Sequence, residues 1–139
     1  MAKLTKPRTS KTLASFCAKL TEEKLAHEVL ILNLTEIEVS PSDFFVICSC
    51  DSDVQINAVV DEILNQCREL GIKKPRVEGI KGGYWVILDF FDLVVHIMHQ
   101  KAREYYKLEK LWGDAIFSKL SKSRRAVLIP KDELKSILK

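Results

Sequence analysis

Hydrophobic positions change their spacing several times along the chain, and each spacing predicts one kind of element. Apolar residues in steps of three and four predict helices over about residues 10–27, 56–70 and 101–112. Short apolar runs predict strands over residues 29–34, 44–50, 76–80, 84–90 and 93–99. The predicted order is therefore α-β-β-α-β-β-β-α, which indicates an α+β fold with helices packed on a small mixed sheet of about five strands.

Local signals support several of the predicted boundaries. Asp51, Ser52 and Asp53 each offer an N-cap to the second helix, and Gly71 stands where a left-handed residue would end that helix. Residues 81–83, Lys-Gly-Gly, predict a turn between the third and fourth strands, while Gly113 stops the last helix. No internal repeat interrupts this pattern.

The segment 84–99 predicts a β-hairpin whose two faces differ in character. If Phe91 and Asp92 form a two-residue turn, strict alternation places six apolar side chains on one face, which must belong to the core. The opposite face then carries a mixed set: Trp85, Ile87, Asp89, Val94, His96 and Met98. A tryptophan beside one or two charged groups is typical of a protein-binding patch. The alternative is that a helix covers this face and Asp89 bonds His96 or a helix cap.

Length and composition indicate one globular domain. The 139 residues are 47% hydrophobic and 29% charged, which suits a folded chain with a single core. The longest apolar runs are far shorter than the ~18 residues that a membrane span needs, so no membrane association is expected. The N-terminus lacks the apolar region of a secretory signal, and we expect a cytoplasmic protein.

Charge is segregated along the chain. Residues 1–12 carry four bases and no acid, and residues 118–139 carry seven bases and two acids, whereas residues 13–117 have a net charge of −6. We therefore expect a basic N-terminal tail (1–12), a central domain (13–117) and a basic C-terminal extension (118–139). An acidic domain suits a basic protein partner, and non-specific contact of the two tails with RNA stays open beside the alternative of solvated ends.

Signals for catalysis or metal binding are thin. Four cysteines without an export signal predict buried, reduced thiols, and their spacing matches no zinc motif. Asp89 and Asp92 would point to opposite sides of the hairpin, and Gly82-Gly83 is not followed by a helix, so it predicts a turn and not a phosphate cradle. His96 is most simply a core or interface histidine. No catalytic residue, metal or cofactor is predicted.

Several segments together resemble the ribosomal silencing factor family (RsfS, Iojap-like). They are RVEG at 76–79, WVILDFFDLVVHIM at 85–98 and REYYKLEKLWGDA at 103–115, preceded by DFFVICS at 43–49 and NAVVDEI at 57–63. The resemblance spans roughly residues 13–117. Two positions depart from the family pattern: Phe91 stands where the family has glycine, and Val54 where an arginine is common.

The resemblance implies a translation repressor that is not an enzyme. Family members bind the large ribosomal subunit through the universal large-subunit ribosomal protein numbered fourteen, and so block joining of the small subunit when nutrients are scarce. Their fold resembles nucleotidyltransferases without the catalytic acids. The competing function is a nucleotidyltransferase-like enzyme or nucleotide-binding protein, and whether the chain forms a homodimer is left open.

The resemblance also assigns residues to the partner-binding surface. Trp85, Asp89, Asp92 and His96 match the hairpin positions of the family pattern, and Arg103 and Tyr106 match its last helix, together with Leu108, Leu111 and Trp112. Combined with the mixed hairpin face, the predicted partner-binding set is Trp85, Ile87, Asp89, Asp92, Val94, His96, Met98, Arg103 and Tyr106.

Overall fold

A computed structural model describes residues 5–79 and 82–139, and these residues form seven strands and five helices. The helices are α1 (Ser10–Glu23), α2 (Asp53–Leu70), α3 (Gln100–Tyr106), α4 (Leu108–Leu111) and α5 (Lys131–Ile137). The strands are β1 (His27–Asn33), β2 (Phe44–Cys50), β3 (Arg76–Glu78), β4 (Trp85–Asp89), β5 (Leu93–His99), β6 (Ile116–Leu120) and β7 (Ala126–Leu128). The predicted α+β class is confirmed.

The two long helices begin and end at residues suited to those positions. Thr9 caps α1 through a reciprocal pair of hydrogen bonds with Thr12. Ser52 caps α2 by accepting from the backbone N–H of Gln55, and Gly71 closes α2 in the left-handed region with φ 69°. The sequence predicted the end of α2 at Gly71 and left its N-cap open among Asp51, Ser52 and Asp53, of which Ser52 is the one used. It placed the end of α1 near residue 27, but α1 ends at Glu23, and His27 already begins β1.

All seven strands form one sheet in the order β3-β4-β5-β2-β1-β6-β7. The pairing of β2 with β5 is parallel, and the other five pairings are antiparallel. In the β4–β5 hairpin Trp85 pairs with Met98 and Asp89 with Val94, the register that the alternation predicted. Part of the predicted third strand (Ile80) and of the predicted Lys-Gly-Gly turn (Lys81) lies outside the described residues.

Each face of the sheet packs against its own helices. The larger core lies between one face and helices α1 and α2, and it includes all four cysteines together with Val86, Leu88, Val95 and Ile97 of the hairpin. The second core lies on the opposite face, where Phe45, Ile47 and Met98 pack with Leu108 and Phe117. Both faces of β2 are therefore buried, which explains its continuous apolar run.

The C-terminal segment corrects two expectations. The sheet has seven strands and not about five, because β6 crosses into the segment predicted to be a basic extension and β7 lies within it. β6 pairs with β1, while Phe117 and Ile129 are 3% and 7% exposed in the second core. A boundary at residue 117 cuts through β6, so residues 118–129 continue the fold of the central domain.

The predicted last helix is also divided. Residues 101–112 were expected to form one helix, but Lys107 takes a left-handed conformation with φ 48° and separates α3 from α4. Because lysine carries no turn preference comparable to glycine, the sequence gives no signal for this break. The break lets Leu108 turn into the second core, where it is 8% exposed.

Deleting residues 121–139 is expected to lower the free energy of unfolding by about 3 kcal/mol or more. The deletion removes the buried Ile129 and the partly buried side chains of α5, and burial of one large aliphatic side chain contributes about 1.5–3 kcal/mol. Urea denaturation measures the effect. The double variant Lys131→Ala/Lys135→Ala, which removes charge but no packing, should unfold like the parent. Equal stability of the deleted and full-length chains would show that the segment is a tail.

Candidate partner-binding face

The mixed face of the β4–β5 hairpin divides into a covered part and an open part. Met98 has no exposed surface and His96 is 6% exposed, because α3 packs over β5 and β2. Trp85, Ile87, Asp89 and Val94 are half-buried. The sequence left two alternatives open, a protein-binding patch or a face covered by a helix, and neither of them describes the whole face. A partner docking here would not touch Met98, and it would reach His96 only through its neighbours.

Trp85 links the open part of the face to the covered part. Its indole Nε1–H donates to Nδ1 of His96 at 3.2 Å, and its ring lies 4.9 Å from the ring of Tyr106. Phe45 packs edge-on against His96, with ring centroids 4.6 Å apart. Tyr106 is 53% exposed and so extends this aromatic cluster to the surface. Trp85 is held rigidly while part of it stays accessible.

Burial keeps His96 neutral. Desolvation, with the positive charge of Arg103 as a smaller cause, lowers the pKa of His96 to about 4. Because Nδ1 accepts from Trp85, the single proton of the neutral ring lies on Nε2. Among the described residues Nε2 has no hydrogen-bond partner. His96 thus positions Trp85, and nothing in its surroundings prepares it for proton transfer.

Acidification is expected to destabilise the fold through His96. In the folded state the pKa of His96 is about 4, below its ordinary value of 6.5. The neutral ring therefore makes its full contribution to the free energy of unfolding above pH 6.5. This contribution is lost as the pH falls from 6.5 towards 4, by up to about 1.4 kcal/mol per pH unit. Urea denaturation at pH 7 and pH 5 should show a smaller difference for His96→Gln than for the parent. The same pH dependence in both proteins would contradict this.

Asp89 and Asp92 have different roles in the hairpin. Oδ1 of Asp89 accepts from the backbone N–H of Phe91 at 2.8 Å, and Oδ2 lies 3.5 Å from Nη2 of Arg76. Asp89 therefore fixes the turn and does not bond His96. Asp92 is exposed, and its backbone carbonyl accepts from the N–H groups of Asp43 and Phe44. The two carboxylates do not form a shared metal-binding pair.

Arg103 belongs to the interior and not to the surface. Its Nε donates to Oε2 of Glu109 at 3.0 Å, and its Nη1 donates to Oγ of Ser49 at 2.9 Å. The side chain of Arg103 is 6% exposed and that of Glu109 is 12% exposed. This ion pair joins α3 to α4 across Lys107 and anchors both to β2. Arg103 supports the aromatic cluster and would not contact a partner.

Two exposed apolar side chains near the cluster were not in the predicted set. Tyr105 is 80% exposed and packs edge-on against Tyr106, and Leu111 is 72% exposed. Two consecutive tyrosines on one helix cannot both face the same core, and this pattern could have indicated a surface role. Trp85, Ile87, Asp89, Val94, Tyr105 and Tyr106 are hereafter called the hairpin face.

Among residues 5–79 and 82–139 no group of three or more histidine, cysteine, aspartate or glutamate side chains could hold a metal ion. All four cysteines are buried, and desolvation raises the pKa of the Cys17 thiol far above its ordinary value. In the same part of the chain, no helix is long and apolar enough to cross a membrane.

Comparison with known proteins gives consistent matches over most of the chain. Residues 7–136 match the family model described as "Ribosomal silencing factor during starvation". The ribosomal silencing factor RsfS of Bacillus subtilis is 40% identical over 105 residues, which cover 76% of this chain and 88% of that protein. A mouse protein named "Mitochondrial assembly of ribosomal large subunit protein 1" is 28% identical over 116 residues, covering 81% of this chain and 50% of its own.

A solved structure shares the fold. The crystal structure of a protein from Chromobacterium violaceum superposes with a TM-score of 0.70 at 26% identity, covering 76% of this chain and 88% of that one. The similarity therefore extends from the sequence pattern of the hairpin and α3 to the arrangement of the sheet.

Proposed function

Because this chain belongs to the ribosomal silencing factor family, we propose that it represses translation by binding the large ribosomal subunit and sterically blocking the small subunit. The proposed contact is the universal large-subunit ribosomal protein numbered fourteen, on the side where the small subunit docks. Repression is proposed to take place during starvation or stationary phase. The proposed compartment is the cytoplasm, where free subunits meet. The protein acts by occupying the side of the large subunit where the small subunit would dock, and no cofactor takes part.

The hairpin face carries this proposal. It combines half-buried apolar side chains with an exposed aromatic pair, which is typical of the centre of an interface, and the carboxylate of Asp89, which suits the polar rim. Residues 13–117 have a net charge of −6, and the four bases of residues 118–129 reduce it to −2 for the folded domain; the remaining negative charge favours a basic ribosomal protein as the partner. The name of the mouse relative refers to the large subunit, which supports the large subunit, and not the small one, as the proposed partner.

Two measurements test this function. Purified protein should pellet with free large subunits and not with small subunits, and it should suppress the rise in light scattering when the two subunits are mixed. Equal pelleting with both subunits, or with neither at micromolar concentration, would refute the proposal. Tight, stoichiometric binding of ATP or GTP with magnesium would favour the nucleotidyltransferase-like alternative. A second copy of the chain competing for the hairpin face would appear as a dimer in sedimentation velocity.

Replacing Asp89 by asparagine is expected to slow association with large subunits about two- to fivefold at low salt, because the negative charge that steers a basic partner is lost. Asparagine keeps the acceptor for the N–H of Phe91, so the turn is retained. Stopped-flow association at 50 mM and 300 mM salt measures the effect, which should fade at high salt. Asp61→Asn, on the exposed side of α2, is the matched control and should associate like the parent. An Asp89→Asn rate equal to that of Asp61→Asn would argue against electrostatic steering by this face.

A further inference from the structure

A groove beside the hairpin turn has a character opposite to that of the hairpin face. It is a cavity of about 710 Å³ between the start of α1, the segment after α2 and the turn at Phe91. Its apolar floor is formed by Leu13 and Ile72. Lysine and arginine side chains stand at its edge: Lys73, Lys74 and Arg76.

An adjoining cavity extends the groove toward the N-terminal segment. It has a volume of about 400 Å³, shares Leu13, Ile72 and Lys73 with the first, and adds Lys6 and Arg8. The fold thus brings bases from residues 6–8 beside bases from residues 73–76, although some 65 residues separate them in the chain. We call the two cavities together the basic groove.

The basic groove has more positive charge than its acids can neutralise. Its five bases face two acids, Asp89 and Asp92, and a third acid, Glu78, pairs with Arg76 at 3.3 Å. Asp89 already pairs with Arg76 and accepts from the turn backbone. Lys73 and Lys74 are exposed, and within the part of the chain that the structure describes neither forms an ion pair. This local excess stands within a central domain of net negative charge, so it favours a polyanionic ligand.

Phe91 adds an aromatic surface to the groove. Its side chain is 83% exposed, and its backbone is held in the left-handed region with φ 77°. Asp89 accepts from its N–H at 2.8 Å, and Oγ of Ser42 donates to its carbonyl at 3.0 Å. A bulky residue rarely adopts this conformation, and an exposed phenyl ring gains nothing from the core. The turn therefore holds a flat apolar ring in solvent beside a row of bases.

We propose that the basic groove binds single-stranded RNA, with a base stacked on Phe91 and the adjacent phosphates on Lys73 and Lys74. Bases stack on aromatic side chains without sequence preference, and a positively charged groove follows the backbone. A duplex keeps its bases stacked on each other and cannot use the ring, whereas an acidic peptide has no flat base to place there. The basic groove borders the hairpin face and shares Asp89 with it, but the residues proposed to hold RNA, Phe91, Lys73 and Lys74, lie outside that face. Binding of unpaired ribosomal RNA would therefore add a second contact with the subunit to the proposed contact with the ribosomal protein.

Fluorescence anisotropy with a labelled uridine 12-mer tests the proposal on the full-length protein. We expect micromolar binding at 50 mM salt, and weaker binding of a 12-base-pair RNA duplex and of a poly-glutamate peptide. Phe91→Ala should weaken binding about fivefold or more, the low end of the range for one stacked base. Phe91→Tyr, which keeps a flat ring, should bind like the parent.

The salt dependence separates the two kinds of contact. Lys73→Ala/Lys74→Ala should weaken binding and reduce the slope of log affinity against log salt by about 1.4, since each phosphate contact to a single strand contributes about 0.7. Phe91→Ala should leave the slope unchanged. The control Lys122→Ala/Lys131→Ala removes two exposed charges elsewhere and should keep both affinity and slope.

Three results would overturn the proposal. They are the absence of RNA binding at 50 mM salt, equal affinity for the duplex or the acidic peptide, and equal effects of the groove and control variants. The assay contains no ribosomal protein, so its failure would leave the steric block standing. If the protein does not pellet with large subunits but still binds the 12-mer, the proposed steric block is rejected and the proposed RNA binding by the basic groove is retained.

Discussion

Replacement of Arg103 by alanine is expected to lower the free energy of unfolding by about 3–5 kcal/mol, the cost of breaking a buried ion pair from one side. Glu109 would keep a negative charge on a side chain that is only 12% exposed, and Oγ of Ser49 would lose its donor. Urea denaturation at pH 7 measures the change. A loss below about 1 kcal/mol would show that water replaces the guanidinium without cost.

A double variant separates charge from packing. Arg103→Ala/Glu109→Ala removes both charges, so it should be more stable than Arg103→Ala alone even though it lacks more atoms. Arg103→Lys keeps the charge but cannot span Glu109 and Ser49 together, and it should fall between the parent and Arg103→Ala. A double variant less stable than the single variant would indicate that packing, and not the unpaired carboxylate, sets the loss.

Replacement of Trp85 by alanine is expected to weaken binding to large subunits about thirtyfold, or about 2 kcal/mol, because tryptophans dominate the energetics of interfaces. The same change should also lower stability by about 2 kcal/mol, since Trp85 is partly buried and Nδ1 of His96 loses its donor. Co-sedimentation titration and urea denaturation on one preparation measure both effects.

Tyr106→Ala distinguishes an interface from a folding defect. Tyr106 is 53% exposed and contacts Trp85 from the solvent side, so we expect a loss of affinity of about tenfold with a change in stability below about 1 kcal/mol. Tyr84→Ala is the matched control, because Tyr84 is 55% exposed but packs against His99 away from this pair. If Tyr106→Ala binds like Tyr84→Ala, the hairpin face is not the contact surface.

The alternation of residues 84–99 was sufficient to predict the hairpin register, because a shift of one residue would have exchanged its two faces. An N-cap within residues 51–53 and the left-handed Gly71 were likewise predicted from local chemistry. These features depend on residues close in sequence.

Features made by distant residues could not be predicted. In the sequence, strand β6 is a short segment before a group of lysine and arginine residues. Only its pairing with β1, more than 80 residues away, makes it part of the sheet. The burial of Arg103 depends on Ser49, 54 residues away. The burial of His96 and Met98 arises from the path of α3, and the alternation of a strand contains no information about which helix will lie across it.

The parallel pairing of β2 with β5 has a consequence for how the chain folds. Phe44 pairs with Leu93 and Cys50 with His99, so the centre of the sheet joins residues 49 positions apart. The β1–β2 hairpin can form as soon as residue 50 is available, but its exposed edges stay unpaired until β5 and then β6 arrive. Contacts of such long range slow folding and leave strand edges open to other chains. During synthesis, aggregation is therefore most to be expected between the emergence of residue 50 and that of residue 120.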